Sequence, residues 1–166
     1  WSVNTPTIGS EILVNGTAAH DLWFHGLTLE GPLGSPGGPT SETLYGCGIV
    51  FTNGAGLRCH VLNCVITRNP HCGVKGDSNL LVEGNVIVDT GLTSRDHGIY
   101  FPGNGVIVRG NAILRSAGYG IHLYSSPADC AIYNNILVGN ACAGILVAGP
   151  NNVISNNVCA ANRLGL

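Results

Sequence analysis

The feature that most constrains this chain is a repeat. Val-Glu-Gly-Asn-Val-Ile at 82–87 returns as Val-Arg-Gly-Asn-Ala-Ile at 108–113, Ile-Tyr-Asn-Asn-Ile-Leu at 132–137 and Ile-Ser-Asn-Asn-Val-Cys at 154–159. The alignment sets Asn85, Asn111, Asn135 and Asn157 in one column, at steps of 26, 24 and 22 residues. Cys64 takes that slot one repeat earlier, and Leu27 the one before. A second column is Gly followed by an aliphatic residue: Gly48-Ile49, Gly73-Val74, Gly98-Ile99, Gly120-Ile121, Gly144-Ile145 and Gly165-Leu166. Two columns that keep step over the same stretch mean that each repeat is one structural unit stacked on the last.

Within each repeat the apolar residues alternate at spacing two, the period of a strand, and nowhere hold a helical period for three turns. Leucine-rich repeats are of similar length, but their Leu-x-x-Leu-x-Leu frame is absent. The chain is therefore expected to be all-β: a parallel β-helix solenoid of about six coils of about 24 residues, neighbouring coils pairing at ~4.8 Å. Right-handedness follows from the general preference of parallel crossovers. Three inward stacks are expected. The first is Phe24, Val61, Val82, Val108, Ile132 and Ile154. The second is Leu29, Ile66, Ile87, Ile113, Leu137 and Cys159. The third is Ile49, Val74, Ile99, Ile121 and Ile145. The Asn column belongs at a bend, where Asn tolerates left-handed backbone and its amide can bond the Asn above and below as a structural ladder. The Gly column lets the chain turn tightly into the next strand.

The whole of 1–166 reads as a single parallel β-helix domain. Its first coil, 1–53, is irregular and carries an inserted proline- and glycine-rich loop at 30–43; regular coils run over 54–166. The chain opens Trp1-Ser2-Val3-Asn4 and stops in mid-coil at Leu166, so it reads as a mature or excised piece of a longer protein. An open β-helix end leaves strand edges on which like subunits can stack.

Composition removes several function classes. Net charge is −2 with only 7 Lys and Arg, so there is no basic stripe for nucleic acid. No apolar run reaches the ~18 residues of a membrane span. The 7 cysteines include no Cys-x-x-Cys pair, so no metal site and no cofactor are expected. Most cysteines fall at inward positions as small apolar fillers. Cys47 and Cys72 are the exception: they occupy equivalent positions one coil apart, a separation that permits a disulfide in an oxidising compartment.

Chemistry is sought beside the Gly column. With the aliphatic residue inward, the next residue faces out, giving an exposed row of Val50, Lys75, Tyr100, His122 and Leu146. Asp96 sits in the turn before one of these strands. Lys75, Asp96, Tyr100 and His122 are thus the candidate catalytic cluster, spread over three coils, with Arg95 and Tyr124 beside it as candidate substrate-binding residues. His97 is expected inward, in column with Cys47, Cys72, Tyr119 and Ala143. On a different strand, Glu83 and Arg109 are expected to pair across adjacent coils.

Asn134-Asn135-Ile136-Leu137 and Gly120-Ile121-His122-Leu123, with their counterparts in each coil, resemble the pectin-lyase-like superfamily of right-handed parallel β-helices. The resemblance covers about 20–166. It implies the right-handed fold, a glycan as partner, and a secreted or cell-surface location. It does not single out one activity, since the superfamily holds lyases, hydrolases, epimerases, adhesins and phage spikes. For a lyase or epimerase it implies a base next to a uronate carboxylate, with His122 or Lys75 as that base, Tyr100 as the acid and Arg95 on the carboxylate. Ca²⁺ enters only under that alternative. The paired aspartates of the hydrolases and the acidic cluster of the pectate lyases are missing, and Asp96-His97-Gly98 only loosely matches the Asp-Pro-His of alginate epimerases. Two classes stay open. One is an extracellular structural, adhesive or glycan-contacting module that stacks end to end. The other is a polysaccharide lyase or epimerase acting on uronate-containing glycans.

Overall fold

The computed structural model describes residues 12–31, 46–52, 54 and 58–163. Among these there is no helix. The first strands are β1 (Ile12–Asn15), β2 (Trp23–His25), β3 (Thr28–Glu30) and β4 (Ile49–Thr52). Four regular turns come next. They are β5 (His60–Leu62), β6 (Val65–Thr67) and β7 (Val74–Lys75); β8 (Leu81–Glu83), β9 (Val86–Val88) and β10 (Ile99–Phe101); β11 (Ile107–Arg109), β12 (Ala112–Leu114) and β13 (Ile121–Leu123); and β14 (Ala131–Tyr133), β15 (Ile136–Val138) and β16 (Ile145–Val147). Strands β17 (Val153–Ser155) and β18 (Val158–Ala160) begin another.

Every third strand joins the same sheet. The first sheet is β1-β4-β7-β10-β13-β16; the second holds β2 to β17 and the third β3 to β18, each in steps of three. All pairs are parallel. The fold is the expected right-handed β-solenoid, with six strands in each sheet supplied by four regular turns and the irregular strands at either end rather than by six equal coils. The inserted loop lies outside the described residues from position 32 to 43, as does Gly165-Leu166 of the Gly column.

The inward stacks form as the columns required. Val61, Val82, Val108 and Ile132 are fully buried, as are Ile66, Ile87, Ile113 and Leu137, and Ile49, Val74, Ile99 and Ile121. The Asn column is likewise buried at Asn85, Asn111 and Asn135. Asn85 Nδ2 donates to Asn111 Oδ1, Asn111 Nδ2 to Asn135 Oδ1, and Asn135 Nδ2 to Asn157 Oδ1, each at 2.9 Å. The same oxygens also accept the backbone N–H of the preceding Asn, and each Nδ2 also reaches a carbonyl of the rung before, such as Val82 for Asn111. Cys64, in the same slot, points its thiol at Phe24 O, 3.6 Å away.

Two of the expected roles need correction. The left-handed backbone is carried by the residue before the Asn column, at Gly26, Asn63, Gly84, Gly110, Asn134 and Asn156, and the stacked Asn residues do not adopt it. The Gly column is likewise fixed by space, not by a left-handed turn. A Cβ on Gly98 would strike Ile113 and the carbonyl of Gly120, and one on Gly73 would strike Ile87 and the carbonyl of Gly98.

Candidate functional site

The register sets the candidate row in one line: Val50 pairs with Lys75, Lys75 with Tyr100, Tyr100 with His122 and His122 with Leu146. The row is not a solvent-facing surface. Val50 is fully buried against Cys47 and Cys72, with Tyr100 packed on them, in a cluster separate from the main core. Lys75, Tyr100 and His122 of the row form the floor of a cavity of about 440 Å³, whose walls come from the bends that lead into β4, β7, β10 and β13.

Those bends explain why the expected inward column turns outward. Cys47, Cys72, His97 and Tyr119 each precede a residue of the Gly column, where the chain leaves one sheet for the next and strand alternation breaks. All four line the cavity. His97 therefore does not fill the core. Two positions before the Gly column stand His71 and Asp96 on adjacent rungs, and they meet: His71 Nδ1 lies 2.6 Å from Asp96 Oδ1, with both side chains buried. Asp96 Oδ2 accepts from the backbone N–H of Thr93 at 2.7 Å and of Leu92 at 3.0 Å, and from Thr93 Oγ1 at 3.0 Å. Burial alone would raise the Asp96 carboxyl. The bonds from His71, Thr93 and Leu92 outweigh it and hold the group below its usual range, so it is a carboxylate. Gly91 and Gly118 pack on either side of this bend; a Cβ on the first would strike Asp96 Cβ, and one on the second His97 Nδ1.

The other wall is aromatic. His97 Nε2 lies 2.7 Å from His122 Nδ1, and the rings of Tyr100, Tyr119 and Tyr124 stand 5.3, 4.8 and 5.4 Å from the His122 ring. Burial, with help from His122, lowers the pKa of His97 to about 3, and burial lowers that of His122 as well. Both are neutral near pH 7. Burial raises the Tyr100 phenol, with Cys72 and Tyr124 adding to it, so Tyr100 keeps its proton. Lys75 Nζ sits 5.5 Å from the centre of the Tyr100 ring.

The expected catalytic residues Lys75, Asp96, Tyr100 and His122 therefore line one cavity, with Arg95 at its wall. Tyr124 stands behind, against His122, and is not part of the lining. The sequence reading missed His71. The signal was in the repeat itself, because counting back two places from Gly73 and Gly98 pairs His71 with Asp96. Cys47 and Cys72 are both free thiols, so the expected disulfide is not formed in this structure. They do touch: Cys72 acts on Cys47 through a side-chain hydrogen bond that makes Cys47 the more acidic of the two. Among the described residues no group of three or more His, Cys, Asp or Glu side chains is placed to hold a metal ion. Nor is any helix long and apolar enough to cross a membrane.

Residues 47–166 match the family model described as a right handed beta helix region. No curated protein matches the chain in sequence. Among solved structures, a mutant of the periplasmic alginate epimerase AlgG is similar, with a TM-score of 0.69 at 11% sequence identity. The alignment covers 89% of this chain but only 35% of the epimerase, and at that identity the likeness is one of fold.

Proposed function

The chain belongs to the right-handed β-helix family, and on that scaffold we propose that the cavity over the first sheet is a proton-transfer site for a uronate-bearing glycan, working outside the cytoplasm. The observation that carries this reading is the buried Asp96–His71 pair in the wall of a cavity that also holds Lys75 and Tyr100. Both halves of the chemistry have a residue suited to them.

The Asp96 carboxylate accepts a hydrogen bond from His71 Nδ1, and in the neutral ring this places the lone pair on Nε2 and raises its basicity. His71 in this role removes the proton on the carbon next to the uronate carboxyl. Negative charge then builds on the carboxyl oxygens, where Lys75 and Arg95 oppose it. Tyr100, held as a phenol, returns a proton. If that proton goes to the leaving glycosidic oxygen as the C–O bond breaks, the product is an unsaturated uronate. If it returns to carbon from the other face, the product is the epimer. The base is thus His71, and His122 and Lys75 are not needed for that role. The fold-level likeness to a periplasmic alginate epimerase supports the glycan class and the location outside the cytoplasm.

Incubation with polymannuronate, alginate and polygalacturonate in D₂O tests the reading. Deuterium on the carbon next to the carboxyl, or the ultraviolet absorbance of an unsaturated uronate, in which that carbon no longer carries hydrogen, is the expected result. Absence of both on all three polymers removes it.

A further inference from the structure

We propose that His97 is a positioning residue: it holds His122 as the neutral Nε2–H tautomer, so that His122 donates a hydrogen bond to a carboxylate oxygen of the substrate and does not act as a base. The inference rests on the reading of the cavity as a uronate site.

The tautomers are set by one donor that has no freedom. The backbone N–H of Tyr119 lies 3.2 Å from His97 Nδ1 and can only donate to it, so Nδ1 keeps its lone pair. His97 is neutral, and its single ring proton therefore sits on Nε2. That proton points at His122 Nδ1, 2.7 Å away, which must accept. His122 is neutral too, and its own proton falls on Nε2. A proton added at His122 Nδ1 would set two N–H groups against each other. The only way out puts the His97 proton on Nδ1, facing the Tyr119 N–H. The main chain of one rung thus fixes the ionisation of a side chain two hydrogen bonds away.

Among the described residues His122 Nε2 is buried and has no hydrogen-bond partner. A buried donor without an acceptor is costly, and the cost is recovered when a ligand oxygen arrives. Register narrows what that ligand is. Tyr100 pairs with His122 on one side and Lys75 on the other, so a neutral donor and a cation flank one phenol on three successive strands. That spacing of donors suits an anionic oxygen group. A neutral imidazole N–H is also a better match than an imidazolium for charge that develops late, because it favours the charge of the intermediate over that of the resting carboxylate.

Nitrogen-15 NMR of the imidazoles tests this with sodium glucuronate as the probe. In the wild-type protein the His122 proton should stay on Nε2 between about pH 5 and 8, and glucuronate should move that resonance. In the His97→Leu variant His122 should titrate freely. In His97→Gln, whose amide oxygen can accept from Tyr119 and whose NH₂ can donate to His122, the Nε2–H form should return. A wild-type His122 protonated on Nδ1, or titrating within that range, overturns the proposal. So does an Nε2 resonance that glucuronate leaves unmoved. If no uronate polymer reacts, the proposed function falls; the tautomer and its response to glucuronate still decide this assignment.

Discussion

Two polar columns at the bends of the solenoid are used in opposite ways, while the bend from the third sheet to the first also carries inward bonded residues, with Ser116 N–H donating to Asn140 Oδ1 at 2.9 Å. At the bend from the second sheet to the third, Asn85, Asn111 and Asn135 turn inward and bond one another, the backbone beside them and the carbonyls of the previous rung. At the bend from the third sheet to the first, His71, Asp96, His97 and Tyr119 turn outward and line a cavity. Both bends come from the same repeat. They differ in the residue that succeeds the polar one. After an Asn the strand resumes at once, while after His97 or Tyr119 stands a glycine whose missing Cβ lets the main chain press against the neighbouring strand and carbonyl. One bend is saturated with internal hydrogen bonds and holds the stack together. The other borders a cavity in which His122 Nε2, on β13, has no partner among the described residues, and polar atoms without partners are what a ligand can satisfy.

If that contrast is correct, substitutions at the two bends should fail in different assays. The largest effect is expected at the outward bend, on turnover alone. Asp96→Asn keeps the shape of the bend but removes the charge that sets the His71 tautomer, and the rate on the active uronate polymer should fall about a thousandfold. Steady-state kinetics beside a thermal melt checks this. Loss of turnover with a collapsed melt would mean that Asp96 serves the fold alone.

The inward bend should give the reverse. Asn111→Ala leaves the Asn85 N–H and the Val82 carbonyl without their Asn111 partners inside the stack. A cost of about 3 kcal/mol is expected from two unpaired buried groups. Asn157→Ala, at the half-exposed end of the same column, should cost clearly less, because water can reach the groups it abandons. Chemical denaturation of both variants measures the gradient. Equal losses would show that the column works as independent pairs with no buried middle.

A third prediction concerns pH. His97 has a folded pKa of about 3, below the usual value of 6.5. Between those values the unfolded chain binds a proton that the folded chain does not, so stability rises with pH. It should be complete above about 6.5 and decline as pH falls towards 3, with the depressed Asp96 carboxyl adding a loss below about 3.9. In His97→Gln the upper part of this slope should shrink. An unchanged slope would assign it to another histidine.

How much of this was legible without the structure divides along the same line. Inward columns are written by period and burial, so the three apolar stacks, the Asn stack and the register of the row from Val50 to Leu146 were all readable. Outward turning at a bend is not, because alternation holds only while the strand continues. Extending it through Gly98 put His97 in the core and Val50 in water; His97 is buried, but in the cavity wall, and Val50 is wholly covered. His71 escaped for a related reason. It lies in Asn69-Pro70-His71-Cys72, which reads as a turn, and its meaning appears only when Asp96 is laid beside it one rung on.

The smallest effect should come from polar pairs that belong to neither bend. Arg109 donates to Glu83 at 2.7 Å, as the outward column predicted, and also to Tyr133 Oη at 3.0 Å on the next strand of the second sheet. The contact geometry is good, yet both charged side chains are more than a third exposed. Water and salt screen such a pair, and ordering two long side chains offsets much of what remains. Glu83→Gln should therefore leave the melting temperature almost unchanged and turnover untouched. A large loss would mean that the outer face of the second sheet is structural in its own right, and the division of labour would then extend beyond the two bends.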